Sequence, residues 1–544
     1  MSQTTNWHSI QEEIKKVNWL FTITLTNSSY LRIGGFNARP YSLELNLGEK
    51  IRPSKIKGIL RWWIRIITLG RYHDPSSYKE VEIIIGRYLG SDKKEEGQSK
   101  FLLNVISETN NEKINEFRNE MFKMIDQYTS ELLNFKYKHE GKEINKIPID
   151  KINLDLHPAS LKIEFELKKE LENRSIINEL KKLIEKDLGS IVRINKINIK
   201  KDKRDKYKRS NRIIASLELN DSFKLLKELA NIPRMKLILM ERKEEKGDAK
   251  KYINRIKEEC ALYPPNSIII KISFYEKPKD IREHIIDIIK EVLIGLILKI
   301  IFQGLSAFSS RGFAGCKLLD IDINPKLNDS LKDIHNICKK IINSKDKKDL
   351  EESINELIKS LNIKELKSMP NVPTLDSSFK YFQFRVFEVK QYYSTERILK
   401  IINESVMKST WKQLDRQAIK IPGEEYHTWI LGLPRTQQNT GYIVFRNSKR
   451  EEAFRRKSAI GINIFENNNK KFVILHGFIS SDWPVNIEDK QGKKLILKHL
   501  SPRHKEGEEI TKIMNVYNTA EAVHTAFYQA FKYVESKLME VENM

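Results

Sequence analysis

The sequence predicts an α+β fold in which strands and helices alternate and a closing strand completes each sheet. Three observations point there. Short stretches such as Leu161–Leu167 and Ile268–Phe274 alternate apolar with polar residues, the period of a half-buried strand. Stretches such as Ser175–Leu188 repeat their apolar residues at helical spacing between those strands. The chain has 544 residues, 40% hydrophobic and 31% charged, which is enough apolar material for more than one core. The simplest fold with this order is the ferredoxin-like split βαβ unit. Two such domains are expected, 1–325 with helical insertions and 326–544.

The elements follow in chain order. Trp19–Leu25 reads as a strand, because Leu20, Ile23 and Leu25 are apolar and Thr and aromatics fill the gaps. Gly34-Gly35 marks a turn. Pro53 and Ser54 open a helix over Lys55–Leu69 that Gly70 stops, with Ser54 as its expected N-cap. Ser91–Gly97 is a polar loop, and Ile114–Tyr128 is helical. Ile191–Ile199 and Ile213–Leu219 alternate as strands, so the charged stretch between them reads as a hairpin tip. Asp280–Phe302 is a long helix that feeds a small-residue loop, Gly304–Gly315, and then a strand, Leu318–Ile323. Asn328–Lys367 is a charged helical connector. Beyond it come strand Tyr381–Val389, helix Thr395–Leu414, a hairpin of Ser458–Phe465 and Phe472–Ile479, and a last amphipathic helix from Val516 to Met539.

A formal net charge of +24 favours a polyanionic partner, of which nucleic acid is the commonest. A membrane surface is not expected. The first residues lack a signal peptide, and the most apolar run, Val292–Leu298, is too short to span a bilayer that needs about 20 residues. A cytoplasmic location follows. Cys260, Cys316 and Cys338 have neither metal-ligand nor redox spacing, so they read as small buried hydrophobes. Phosphate-binding, zinc and nucleophile motifs are missing. His73-Asp74 resembles the opening of a metal phosphohydrolase site without the companion histidines, and His427 and His476 read as structural. No catalytic residue, metal or cofactor is implied.

Four stretches carry the candidate chemistry. On the helix after Pro53, a step of about 100° per residue puts Ile56, Leu60, Trp63 and Ile67 on one side. Ser54, Lys57, Arg61 and Arg65 fall on another, while Gly58 permits close approach of a strand or a ligand backbone. Arg52 and the first-turn amides add affinity for phosphate. The same pattern also describes an ordinary helix with a solvated face. In Gly304–Gly315, exposed amides with Arg311 and Gly312 suit a phosphate, and Phe308 or Phe313 suits base stacking. A plain turn from helix to strand uses glycine equally well. The basic tract Arg193–Arg212 reads as a solvated loop or as a tracker of a nucleic-acid backbone. Arg455-Arg456-Lys457-Ser458, with Arg446, Lys449 and Arg450, forms a basic entry to the second-half hairpin.

The segment Ile51-Arg52-Pro53-Ser54-Lys55-Ile56-Lys57-Gly58-Ile59-Leu60-Arg61-Trp62-Trp63 resembles the first-helix signature of the RAMP superfamily. Its Arg-Pro-Ser, Lys-Gly and Arg-Trp-Trp steps resemble one branch in particular, the first-numbered RAMP subunit of the type III-B (Cmr) CRISPR effector complex. The Gly304–Gly315 loop is similar to the family's glycine-rich loop, and Leu431-Gly432-Leu433-Pro434 with Arg455-Arg456-Lys457-Ser458 looks like that branch's second unit. The resemblance implies two RRM-like, ferredoxin-like domains in a non-catalytic RNA-binding subunit that serves antiviral defence. Such a subunit caps a ribonucleoprotein near the guide RNA 3′ end and helps capture complementary target RNA. Its partners would be guide CRISPR RNA, target single-stranded RNA and other Cmr subunits. The binding residues carried over are Arg52, Ser54, Lys57, Arg61, Arg65, Arg311, Gly312, Arg455 and Arg456. The alternative within the superfamily is an endoribonuclease that processes CRISPR RNA. It needs a general acid and base near the glycine-rich loop, which holds no histidine.

Overall fold

The first strand runs from Asn18 to Asn27 and sits near the middle of a sheet. The computed structural model describes residues 18–33, 39–72, 78–90, 99, 101–144, 147–167, 174–200, 212–245, 247–276, 285–305, 311–407, 428–433, 435–437, 440–446, 449–450, 456–468, 470–483, 487–488, 494–500 and 520–543. Seven strands make the main sheet: β1 (Asn18–Asn27), β2 (Phe101–Thr109), β3 (Ile268–Glu276), β4 (Cys316–Ile323), β5 (Phe382–Glu388), β6 (Ile460–Asn467) and β7 (Lys470–Phe478). Their spatial order is β5-β7-β6-β4-β1-β3-β2. Neighbours are antiparallel except β4 and β6, which meet in parallel at Cys316–Phe465 and Lys317–Glu466. Two halves of the chain are thus joined edge to edge. Gly315 is needed at the joint, because a Cβ there would lie 2.2 Å from the Ile464 carbonyl oxygen.

The helices packed around this sheet include α1 (Pro53–Tyr72), α2 (Ile285–Gln303), α3 (Thr395–Ser405) and α4 (Ala520–Leu538). α1 buries Ile56, Leu60, Trp63 and Ile67, the side its spacing predicts. Val292–Leu298 of α2 is apolar all round because α1 covers one side and the sheet the other. Gly295 permits the close approach, with its Cβ position 3.4 Å from Ile64 and Ile67. No described helix is long and apolar enough to cross a membrane. β6 is buried along its whole length, since helices cover both of its faces. On β7, His476 and Phe478 face Trp63, whereas Gly477 faces Phe527 of α4. The connector is helical as expected, in two helices, Asn328–Asn343 and Lys347–Lys359. The break is fixed by Asp346, whose side chain caps the second helix by accepting from the Asp349 amide. A small second sheet, Arg435–Gln437, Thr440–Arg446, Lys494–Leu500 and Ile487–Glu488 with Lys449–Arg450 beside it, is not foreseen by the sequence reading.

All of this belongs to one compact unit, Met1–Ile33 with Lys50–Asn110 and Tyr263–Met544. The other unit comprises Gly34–Glu49 and Asn111–Leu262. Its five-stranded sheet has Leu161–Leu167 and Arg212–Leu219 at the centre and Val192–Lys200 at one edge. Helix Asn111–His139 buries Phe117, Met121, Ile125, Tyr128 and Leu132. Arg255 is buried, and it donates to Glu245 at 2.5 Å and to the carbonyls of Ile238 and Met240. Those bonds satisfy a charge whose burial would otherwise be costly. Cys260, Cys316 and Cys338 are free and buried, and burial pushes each thiol up to about 12.

Candidate nucleic-acid interface

α1 begins at Pro53, and the amides of Lys55 and Ile56 bond back to the Arg52 carbonyl. Arg52 therefore takes the N-cap position and Pro53 the first helical one, where a missing N–H costs nothing. Ser54 is not the cap; it lies exposed in the first turn. Arg52 and Gly58 are also exposed, and Lys57 is half-buried. A Cβ on Gly58 would meet nothing within 4 Å. Glycine costs about 1 kcal/mol against alanine inside a helix, and nothing in the fold needs it at this position. Gly58 thus leaves open space beside the first turns of α1, with Arg52, Ser54 and Lys57 around it.

The expected stripe does not stay open along the helix. Helix Tyr78–Leu89 packs beside α1. Its Glu82 takes the Arg65 guanidinium, and the Gly90 carbonyl just past its end takes Arg61. Both arginines are half-buried. This helix is not among the elements read from the sequence, although Val81, Ile85 and Leu89 recur at helical spacing, so the two guanidinium groups look solvated until the fold supplies their acceptors.

The second-half segment comes to the same helix. Lys457 Nζ lies 5.9 Å above the Trp62 ring, and Trp62 meets Phe478 edge-on at 5.6 Å. Burial and the neighbouring Arg456 hold the Lys457 ammonium below the usual lysine range. Arg456 donates to Asp482 at 2.8 Å and stacks 4.6 Å from the Trp483 ring, which itself packs on Trp429. Arg456 therefore acts as a packed hinge of this corner, while Lys457 is the cation beside α1. Leu433 and Arg456 exchange backbone bonds, so Leu431-Gly432-Leu433 and Arg456-Lys457-Ser458 form one structure. Gly432, at φ +110°, allows it. Arg455 lies outside the described residues. Trp62 and Lys457 lie in stretches that the sequence singles out, but neither is among the binding residues carried over. The doubled Trp62-Trp63 was the available signal: Trp63 is fully buried, while Trp62 beside it packs on the same Phe478 yet stays partly exposed.

The described glycines of the Gly304–Gly315 loop do not offer their amides as expected. The Gly304 amide bonds to the Lys299 and Ile300 carbonyls, Gly312 to Ile462, Ala314 to Tyr30 and Gly315 to the Ser29 hydroxyl. Gly312 is buried at φ +81°, where a Cβ would lie 2.8 Å from Ile402, so it serves packing. Phe313 is wholly buried and unable to stack on a base. Arg311 is half-buried and bridges to Ile462, and its carbonyl accepts from Asn403. Phe308 lies outside the described residues. Two residues missed by the sequence reading hold this corner. Asn463 of β6 donates to the Ile300 and Ile301 carbonyls at the end of α2, and Lys299 donates to Gly304 at 2.9 Å. Burial pushes the Lys299 ammonium down to about 8.

His476 is buried among Trp63, Phe302 and Phe478, and burial alone pushes it down to about 3. In the second unit, Arg193 pairs with Asp221, and Arg212 with Glu164 and Glu166. The hairpin tip between them, His73-Asp74, Gly34-Gly35, Ser91–Gly97 and His427 lie outside the described residues. Among the described residues no group of three metal-ligating side chains occurs.

No family model and no curated protein matches the chain. Solved structures do show likeness. A chain of the type III-B Cmr-beta complex bound to cognate target RNA is similar at 15% identity and TM-score 0.44, over 93% of this chain and 100% of that one. A chain of Cmr-beta bound to target RNA and AMPPnP, in the presence of single-stranded DNA, gives 15% identity and TM-score 0.46 over 94% and 100%. Apo Cmr1 from Pyrococcus furiosus gives 11% identity and TM-score 0.36 over 90% and 91%.

Proposed function

We propose that this chain is a non-catalytic RNA-binding subunit of a type III-B (Cmr) CRISPR ribonucleoprotein, corresponding to its first-numbered RAMP subunit. In this role it caps the complex near the guide RNA 3′ end and helps capture complementary target RNA. The observation that carries the proposal is Gly58: a helix-weakening residue with open space in front of it, amid Arg52, Ser54 and Lys57. A sugar-phosphate chain passing over the helix is what such a notch accommodates. Trp62 and Lys457 sit one turn further on and extend the surface with an aromatic ring and a cation. The strand order supports two ferredoxin-like domains, 1–325 and 326–544. β4-β1-β3-β2, with α1 after β1 and α2 after β3, is the order of a split βαβ pair. β5-β7-β6 with α3 and α4 matches such a unit without its last strand. His476, buried and held far below neutrality, is not itself a candidate general acid or base.

The test is anisotropy titration of labelled single-stranded RNA with the full chain across a salt series. Arg52→Ala with Lys57→Ala should weaken binding and lower the log–log salt slope by about 1.4, roughly 0.7 for each lost phosphate contact. Arg61→Ala and Arg65→Ala should also lower stability, since the Gly90 carbonyl and Glu82 accept from their guanidinium groups. An unchanged slope in the first variant would remove the notch from the interface. Metal-independent cleavage of precursor RNA by the purified chain, lost on one histidine substitution, would favour the nuclease instead.

A further inference from the structure

The two edges of the main sheet are treated differently. At β5, the Val386 and Glu388 amides are capped by Glu351 and Glu542 at 3.0 and 2.9 Å, and the Phe384 carbonyl by Arg385 at 2.9 Å. Those side chains occupy the positions that another strand would need. At β2, among the described residues, no side chain bonds to the backbone of Leu102 through Glu108. β2 pairs with β3 over nine residues without a bulge. Its sequence, Phe-Leu-Leu-Asn-Val-Ile-Ser-Glu-Thr, has neither lysine nor proline to guard an edge. Leu102 and Ile106 are 38% and 47% exposed. Alternate N–H and C=O groups along such an edge are matched only by another extended polypeptide.

β2 is also complementary to itself. Antiparallel pairing of two copies about Asn104 sets Leu102 against Ile106 and Leu103 against Val105, each twice, with Asn104 against Asn104. Residues paired this way share a face, so apolar meets apolar on both sides. The one charged residue of the strand, Glu108, is bridged to Lys271 at 3.0 Å within its own chain. The two Glu108 side chains would stand about 27 Å apart along the ladder, eight residues at roughly 3.4 Å each. We propose that the β2 edge is a homotypic docking surface, on which a second copy of this chain adds antiparallel about Asn104 and continues the sheet through a two-fold axis.

Sedimentation velocity of the RNA-free full chain tests this. The expected result is a concentration-dependent dimer whose dissociation constant rises roughly tenfold or more in Ile106→Lys, with circular dichroism unchanged because the side chain is exposed. Asn104→Cys should form a disulfide-linked dimer on mild oxidation and Ser107→Cys should not, the three native thiols being buried. A monomer at every concentration overturns the proposal. So does a dimer indifferent to Ile106→Lys, or one cross-linked equally through position 107; a strand from a different protein would then be the better occupant.

Discussion

Replacing Gly58 with alanine separates what the fold needs from what the ligand needs. In the unbound chain the change should stabilise. Position 58 is inside a regular helix, its new methyl group meets nothing within 4 Å, and φ is not in the left-handed region. The gain is the helical propensity difference, about 0.5–1 kcal/mol. For a unit of this size that raises the melting temperature by about 1–3 °C. RNA affinity should move the other way. A methyl group in the notch keeps the sugar-phosphate chain from its closest approach, and a loss of about 1.4 kcal/mol is tenfold in Kd. The salt slope should stay constant, because no charge is removed. Thermal melts and anisotropy titrations on the same preparation read both effects. A variant that is more stable but binds RNA as well as the parent would show that the notch is not the contact. One that loses both stability and affinity would show that Gly58 serves the fold.

Trp63→Ala should lower stability by about 3–5 kcal/mol in denaturant melts, because the ring is fully buried and stacks on Phe302 at 5.6 Å. Gly312→Ala should cost about 1–3 kcal/mol through its left-handed φ and the clash with Ile402, while the folded fraction keeps its RNA affinity; a selective loss of affinity would restore a phosphate role. Acid should weaken the protein through His476. Its folded pKa is near 3 against 6.5 for the free group, so the unfolded chain binds the extra proton between those values and stability falls as pH drops through that window. The contribution is about 2 kcal/mol at pH 5 relative to neutrality, and His476→Leu should flatten that part of the pH profile.

Several elements were legible because local pattern decides them. Leu161–Leu167 is a strand with its expected bounds, and Ile268, Ile270, Ile272 and Phe274 share the buried face that their alternation implies. α1 buries the four residues that its period selects. The candidate site was legible only in part. Its helix, its glycine and its first cations could be read from one continuous segment. The partners of Arg61 and Arg65 and the approach of Lys457 to Trp62 involve residues from 17 to 395 positions away, as Arg65–Glu82 and Trp62–Lys457 illustrate, and the amides of Gly312 and Ala314 go to Ile462 and Tyr30.

By itself, then, the sequence determined the α+β alternation, the core stripe of α1, the basic excess and the odd glycine at position 58, since each depends on neighbours within a turn or a strand. Tertiary structure alone decided that Arg61 and Arg65 become internal donors to Gly90 and Glu82. It also decided that Gly312 and Phe313 belong to packing and that the two sheet edges differ. Those outcomes depend on which distant backbone and carboxylate groups arrive beside each side chain, and no local spacing encodes that arrival.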